Sequence, residues 1–207
     1  MYLRAIRLAG NPESIAGAIT KFDEISAPVR RLPGCAAVAL AADAGAGKAI
    51  VLSYWESEET LNASEEAGAG ARARTAAENG LEIVDVERYE VTYLERHKPL
   101  SAGTFARLVT STRPLEQLDA LQREIQGRIL PMMTKQKGFR TVATAVNRTN
   151  GKVLGGSSWD TAADREASDA ALAPIRQELM ATGGSTALVE NFDIVFADVL
   201  VAAHTGA

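Results

Sequence analysis

The sequence predicts an α+β protein built from two ferredoxin-like halves in tandem, each with the element order β-α-β-β-α-β. Gly34 to Ser64 aligns without a gap on Gly138 to Ser168 at an offset of 104, and ten of the 31 positions are identical. Both halves also show the same succession of alternating apolar runs and helical stripes. Because the open face of a four-stranded sheet is apolar and must be covered, we expect the two sheets to close one barrel within the chain.

Half one is predicted over residues 1–96. A strand from Tyr2 to Leu8 is followed by Asn11-Pro12, which combines a helix cap with the residue best suited to the first helical turn. The helix presents an apolar stripe at Ile15, Ile19, Phe22, Ile25 and Val29. Two strands follow, joined by a glycine-containing hairpin turn that ends at Lys48; the strands are Cys35 to Ala42 and Ala49 to Glu56.

The second helix of half one is predicted to begin at the Ser57 cap and to end near Asn79-Gly80, before a closing strand from Leu81 to Leu94. Residues 97–103 read as a linker, residues 104–200 as half two and residues 201–207 as a tail. In half two, Asn150-Gly151 is the predicted hairpin turn and Thr161-x-x-Asp164 a capping box. Pro174 predicts a kink or restart within the last helix.

Charge and residue counts limit the possible classes of partner. The net charge is −4 and the sequence contains no polybasic run, so neither nucleic acid nor a membrane surface is expected as a partner. No signal peptide and no long apolar segment is present, which predicts a cytoplasmic protein. The single Cys35 is expected to be a buried, inert thiol. The two histidines, His97 and His204, are expected at the surface, so we predict no metal and no cofactor.

At this point the residues show a family resemblance. Tyr54-Trp55-Glu56-Ser57-x-Glu59-x-Leu61, with its counterpart Ser158-Trp159-Asp160-Thr161, resembles the W-E-S-x-E-x-L segment of antibiotic biosynthesis monooxygenase-like (ABM) domains. These domains belong to the dimeric α+β barrel superfamily, and the resemblance covers nearly the whole chain as two copies. It implies a barrel that relatives form by dimerising, so we expect a monomer that contains an intrachain pseudo-dimer.

The resemblance also implies a range of activities, among them cofactor-free quinone-forming monooxygenation, haem degradation and isomerisation. Haem degraders resemble one another in a histidine near the ninth residue after the tryptophan, where this chain has Ser64 and Ser168. They also share an asparagine on the first strand, where the comparable positions lie near Arg7 and near Val109 or Thr110. These departures count against haem degradation.

Candidate pocket residues follow from the same comparison, whereas no catalytic residue is predicted. Trp55 and Trp159 lie at strand-to-helix junctions, where they could form a ligand-binding wall or simply belong to the core. In half one, Tyr54, Arg72 and Arg74 are candidates for the rim of a pocket, and Tyr89 for a hydrogen bond. Apart from Lys48 with Lys152 and the acidic pairs, we expect no ionisable residue to be matched between the halves.

Two segments allow alternative interpretations. The second helix of half one, Asn62 to Ala77, is rich in alanine and glycine. These small side chains either let the helix approach the sheet closely, which is the favoured interpretation, or leave a ligand cavity beneath it. In half two, Gly155-Gly156 either makes room for a ligand or marks a β-bulge, with the bulge slightly favoured.

The functional prediction is a protein that binds a small, mostly apolar molecule, with cofactor-independent monooxygenation as the best analogy if it is an enzyme. A non-catalytic binding or sensing module is the alternative, and a structural remnant without a ligand is the third possibility. Half one, with its tyrosines and its small-residue helix, is the half expected to hold the site.

Overall fold

A computed structural model describes residues 1–181 and 187–200. It confirms the α+β class and the element order β-α-β-β-α-β in each half. The eight strands form a closed barrel in the order β1-β3-β2-β8-β5-β7-β6-β4. Their bounds are β1 Tyr2–Ala9, β2 Cys35–Asp43, β3 Lys48–Trp55, β4 Glu82–Arg96, β5 Thr104–Thr112, β6 Phe139–Val146, β7 Lys152–Trp159 and β8 Leu188–Val199.

The helices lie where the stripes and caps predict them. They are α1 Pro12–Arg30, α2 Glu58–Glu78, α3 Leu118–Glu124, α4 Leu130–Met133 and α5 Ala162–Ala181. Among the described residues, no helix is long and apolar enough to cross a membrane. The predicted tail, with His204, lies outside the described residues, and the predicted boundaries of the two halves stay a prediction.

The chain divides into two compact units by its contacts. The first contains residues 1–88, the short segment Ser101–Gly103 and the chain from Phe192 onward as far as it is described. In this unit β3 pairs antiparallel with both β1 and β2, and the end of β8 pairs with β2. Helices α1 and α2 pack on this sheet around a core that includes Ile15, Phe22 and Trp55.

The second unit contains Tyr89–Leu100 and residues 104–191. Its strand β7 pairs with β5 and β6, and the second part of β4 pairs with β6. One core cluster lies beneath α3 and α5 around Leu118 and Leu172, and another surrounds Phe139 and Trp159.

Local sequence signals account for the helix starts and the hairpin turns. The side chain of Asn11 accepts a hydrogen bond from the backbone N–H of Ser14 at 2.7 Å, and Ser57 forms a capping box with Thr60. Gly47 and Gly151 have positive φ angles of 66° and 75°. A Cβ at Gly47 would also collide with a backbone carbonyl oxygen, so the turn requires glycine there.

The first helix of half two is less regular than its stripe predicts. A 3-10 turn over Leu115–Gln117 leads into α3, and a π-helical segment over Ile125–Ile129 separates α3 from α4. The last helix, in contrast, runs through Pro174 as one continuous element, so no restart occurs there.

Candidate functional site

The first unit contains a cavity between its sheet and its two helices, which we call the half-one cavity. Its volume is about 330 Å³, enough for a small organic molecule. Strands β1, β2 and β3 form its floor, and α1 and α2 form its sides. Most of the wall is apolar; the polar or charged lining residues are Arg4, Ser26, Ser53, Ser64, Arg72, Thr75 and Asn79.

The small residues of α2 explain why this cavity exists. Gly68, Ala71 and Thr75 line it, and a Cβ added at Gly68 would meet no atom within 4 Å. At the repeat offset of 104, the equivalent residues of α5 are Leu172, Ile175 and Leu179. The close packing favoured for this small-residue helix is therefore wrong, and the alternative, a cavity beneath the helix, describes half one.

The equivalent cavity of half two is much smaller. Its volume is about 90 Å³, and Leu172 and Leu179 form part of its wall. The three larger residues of α5 add eight non-hydrogen atoms in all, and two of them, Leu172 and Leu179, lie in the wall of the smaller cavity. Gly155, which replaces Val51, offsets part of this filling. The larger side chains of α5 thus account for most of the difference between the halves.

The half-one cavity opens to solvent beside α2. Ala67 and Ala71 line the cavity and are also exposed, as is Pro28 on α1. A ligand can therefore reach the cavity between the two helices, where no bulky side chain of α2 blocks the way.

Arg4 is the most deeply buried charged residue of the cavity wall. It projects from β1 and is only 3% exposed. Its Nη2 donates to the carbonyl oxygen of Leu61 and to Oγ of Ser64, each at 2.8 Å. Its Cζ atom lies 5.6 Å from the ring centroid of Trp55, a cation–π distance. Burial lowers the pKa of Arg4 to about 10, so the guanidinium stays charged at neutral pH.

One carboxylate is shared by two arginines at this wall. Oε2 of Glu65 lies 3.1 Å from Nε of Arg4, and Oε1 accepts a hydrogen bond from Nη2 of Arg72. Burial alone would raise the pKa of Glu65, but the hydrogen bond from Arg72 and the charges of Arg72, Arg4 and Arg88 outweigh it and lower the pKa. Glu65 is therefore ionised at neutral pH and is a weak proton acceptor.

Half two repeats this network. Arg107 on β5 is also 3% exposed, and it donates from Nη1 to Oγ of Ser168 and from Nη2 to the carbonyl oxygen of Arg165. Asp169 lies 3.6 Å from Nε of Arg107 and pairs with Arg176. The expectation that no further ionisable residues are matched between the halves is therefore wrong.

The sequence did contain the signal for this network. Arg72 and Arg176 are separated by the repeat offset of 104, and Arg4 and Arg107 by 103. Extending the alignment along the second helix matches Arg72 with Arg176, and extending it into the first strand with the one-residue shift seen elsewhere in the repeat matches Arg4 with Arg107. An arginine at the same place in the first strand of both copies is the informative feature, because a buried cation needs specific partners.

Among the six predicted pocket residues, Arg72 lies in the wall of the half-one cavity. Trp55 and Trp159 are both fully buried core residues, and each donates its indole N–H to a serine two residues earlier, Ser53 or Ser157. Ser53 lines the cavity, so Trp55 lies behind it and supports the wall.

The other three candidates lie outside the walls of both cavities. In β3, Tyr54 lies on the face opposite that of the wall residues Val51 and Ser53. Arg74 is exposed on α2. Tyr89 is buried in β4, where it is 4% exposed. Any role of these side chains in ligand binding stays a prediction.

Two further expectations can be compared with the described residues. The β-bulge favoured at Gly155-Gly156 is wrong, because the pairings of β7 with β5 and with β6 both run through these glycines without a register shift. Both glycines instead line the small cavity of half two.

His97 is half exposed and pairs with Glu95. Within residues 1–181 and 187–200, no group of three or more His, Cys, Asp or Glu is placed to hold a metal ion.

Fold and site together define a class: a two-copy α+β barrel with an apolar cavity between the sheet and the helices of half one. Residues 1–76 match the family model described as antibiotic biosynthesis monooxygenase, which confirms the resemblance to ABM domains. The matched segment carries most of the half-one cavity wall.

Other proteins are similar to this chain in sequence or in fold. An uncharacterised protein of Mycobacterium tuberculosis is 26% identical over 162 residues, which cover 78% of this chain and 72% of the relative. The structure of an anthrone oxidase-like protein superposes with a TM-score of 0.69 at 18% identity, covering 96% of this chain and 93% of the other. A heme-degrading enzyme of Listeria monocytogenes superposes with a TM-score of 0.55 at 9% identity, covering 92% and 98%. At these identities, the two structures share the fold alone.

Proposed function

We propose that the protein binds a small, mostly apolar molecule in the half-one cavity. The observation that carries the proposal is the difference between the halves: the same fold and the same arginine network enclose about 330 Å³ in half one and about 90 Å³ in half two. An unfilled apolar cavity forfeits packing contacts and lowers stability. A binding role gives a reason for keeping small residues on α2.

Binding is better supported than catalysis by the chemistry of the wall. The charged residues among those that line the half-one cavity are Arg4 and Arg72, and the neighbouring Glu65 has a lowered pKa. None of these three groups is suited to accept a proton near neutral pH. A non-catalytic binding or sensing module needs only the apolar space and its opening.

Two fluorescent probes test the proposal. N-phenyl-1-naphthylamine is neutral and apolar, and 8-anilinonaphthalene-1-sulfonate adds one sulfonate to the same skeleton. Both become brighter in apolar surroundings, so a fluorescence titration reports their binding. We expect the wild-type protein to bind at least one probe at a single site. The triple variant Gly68→Leu/Ala71→Ile/Thr75→Leu, which carries the residues of half two, should lose at least about tenfold in affinity because its cavity is filled.

The control is Gly70→Leu, on the same helix but outside the cavity wall. This variant should bind the probes like the wild type. The proposal is refuted if the wild type binds neither probe, or if the filled variant binds them as tightly as the wild type does.

A second candidate function is cofactor-independent oxygenation of a phenol or an enolisable ketone in the same cavity. It is favoured by the match of the cavity-forming residues 1–76 to the monooxygenase family model and by the fold shared with an anthrone oxidase-like protein. Solvent water at the opening beside Ala71 would take the substrate proton, and Arg72 would stabilise the resulting anion. The anion then reacts with oxygen, which gives one oxygen atom to the product and leaves the other as water. Oxygen uptake with a panel of anthrone-like phenols should exceed the protein-free rate; uptake at that rate would exclude this candidate.

A further inference from the structure

We propose that the ligand of the half-one cavity carries an anionic oxygen group, such as a carboxylate, a sulfonate or an ionised phenol, which Arg4 and Arg72 bind. This inference rests on the proposed binding function and deepens it. The expected ligand thus has an apolar body that fills the space under α2 and one acidic group directed towards these two guanidinium groups.

The charged groups at the cavity wall carry a surplus of positive charge. Two guanidinium groups line the cavity, and the single carboxylate of Glu65 is shared between them. The cluster therefore carries a net charge of +1 beside an apolar space. Arg88 adds a further positive charge near enough to lower the pKa of Arg4. An anion in the cavity would interact with this surplus more strongly than in bulk water, because the surrounding wall is mostly apolar.

Arg4 and Arg72 also have N–H groups that the protein does not use as hydrogen-bond donors. In the described part of the chain, both hydrogen bonds of Arg4 come from Nη2; Nε lies 3.1 Å from Oε2 of Glu65 without forming a hydrogen bond, and Nη1 has no protein partner. Arg72 likewise uses one nitrogen, Nη2, for Glu65. These unused N–H groups can donate to a ligand, and an anionic oxygen is the acceptor that forms the strongest hydrogen bonds with them.

The equivalent arginine of half two has fewer donors to spare. There both terminal nitrogens of Arg107 already donate to the protein, to Ser168 and to the carbonyl oxygen of Arg165. The larger residues on α5 also leave little space beside it. The arginine network alone is therefore a structural feature of the fold, and half one adds a free donor and the volume for a ligand.

The same two naphthyl probes test the inference, because they differ by the sulfonate. We expect the wild type to bind the sulfonate probe at least about tenfold more tightly than the neutral probe, the effect of one charge-assisted hydrogen bond. Arg72→Gln should weaken the sulfonate probe about tenfold and leave the neutral probe unchanged. The unchanged neutral probe also verifies that the variant is folded.

Arg176→Gln, the equivalent substitution in half two, is the matched control and should alter neither affinity. Glu65→Gln should tighten the sulfonate probe, because it removes the competing carboxylate. Equal affinities of the wild type for the two probes, or an equal loss of both in Arg72→Gln, would overturn the anionic group while leaving the proposed function intact. A wild type that binds neither probe would instead refute the proposed function.

Discussion

Replacing Gly68 with leucine should stabilise the protein while it removes ligand binding. Gly68 lies within α2, faces the half-one cavity, and a Cβ at this position meets no atom within 4 Å. Half two shows the expected outcome, because the equivalent Leu172 is 1% exposed. The added side chain therefore enters existing space without displacing its neighbours.

The magnitude has two parts. Replacing glycine within a helix by a good helix former gains about 0.8 kcal/mol. Burying a leucine side chain gains about 1.5 to 3 kcal/mol when it is complete, and the solvent opening beside Ala71 places Gly68→Leu near the lower limit. The expected gain in the free energy of unfolding is about 2 kcal/mol. For a chain of this length, it corresponds to a rise in Tm of about 4 to 8 °C.

Calorimetry of Gly68→Leu and Gly70→Leu separates the two parts. Gly70 lies on the same helix but is exposed and outside the cavity wall, so Gly70→Leu gains helix propensity alone. Gly68→Leu should therefore exceed it by 1 kcal/mol or more. Equal stabilities of the two variants would refute the argument that unfilled volume lies beneath Gly68. We expect Gly68→Leu to be more stable than the wild type and to bind the probes less tightly, because the residue that stabilises the fold occupies the space for the ligand.

Three further predictions concern the support of the fold. Trp55→Phe should cost roughly 2 kcal/mol in urea unfolding, because it leaves a void and removes the hydrogen bond to Ser53. A hydrogen bond to Glu95 raises the pKa of Tyr93 to about 12, from 10.0 in an unperturbed tyrosine. Folded Tyr93 thus keeps its proton where the unfolded side chain loses it, so stability should fall between these two pH values. In an absorbance titration, Glu95→Gln should lower this pKa. Ser57→Ala should cost about 1 kcal/mol by removing the cap of α2, as thermal unfolding would show.

Local signals made much of the fold predictable. The cap at Asn11 and the turn glycines Gly47 and Gly151 each have one dominant physical role, and that role holds whatever the rest of the chain does. The duplication supplied the long-range part, because two copies of a four-stranded sheet with one apolar face must cover those faces. The π-helical turn at Ile125–Ile129 was not predictable, since a helical stripe does not distinguish it from an ordinary turn.

The candidate site was predictable only in part, because a cavity is a property of several elements together. The small residues of α2 indicated either a void or close packing, and only the positions of the facing strands and α1 decide between them. Arg72 was found from its place on that helix. Arg4 was missed because its burial is decided by the fold, and because the one-residue shift in the repeat hides its match to Arg107.

The duplication also separates what the fold requires from what a ligand requires. Arg4 with Ser64, and Arg107 with Ser168, make equivalent contacts, so the buried arginine is part of the architecture that joins the first strand to the second helix of each half. A feature present in both halves cannot explain a cavity present mainly in one. The differences lie in the residues of α2 and in the unused donors of Arg4 and Arg72. Half two therefore serves as an internal reference, in which both terminal nitrogens of the buried arginine donate to the protein and most of the space for a ligand is filled.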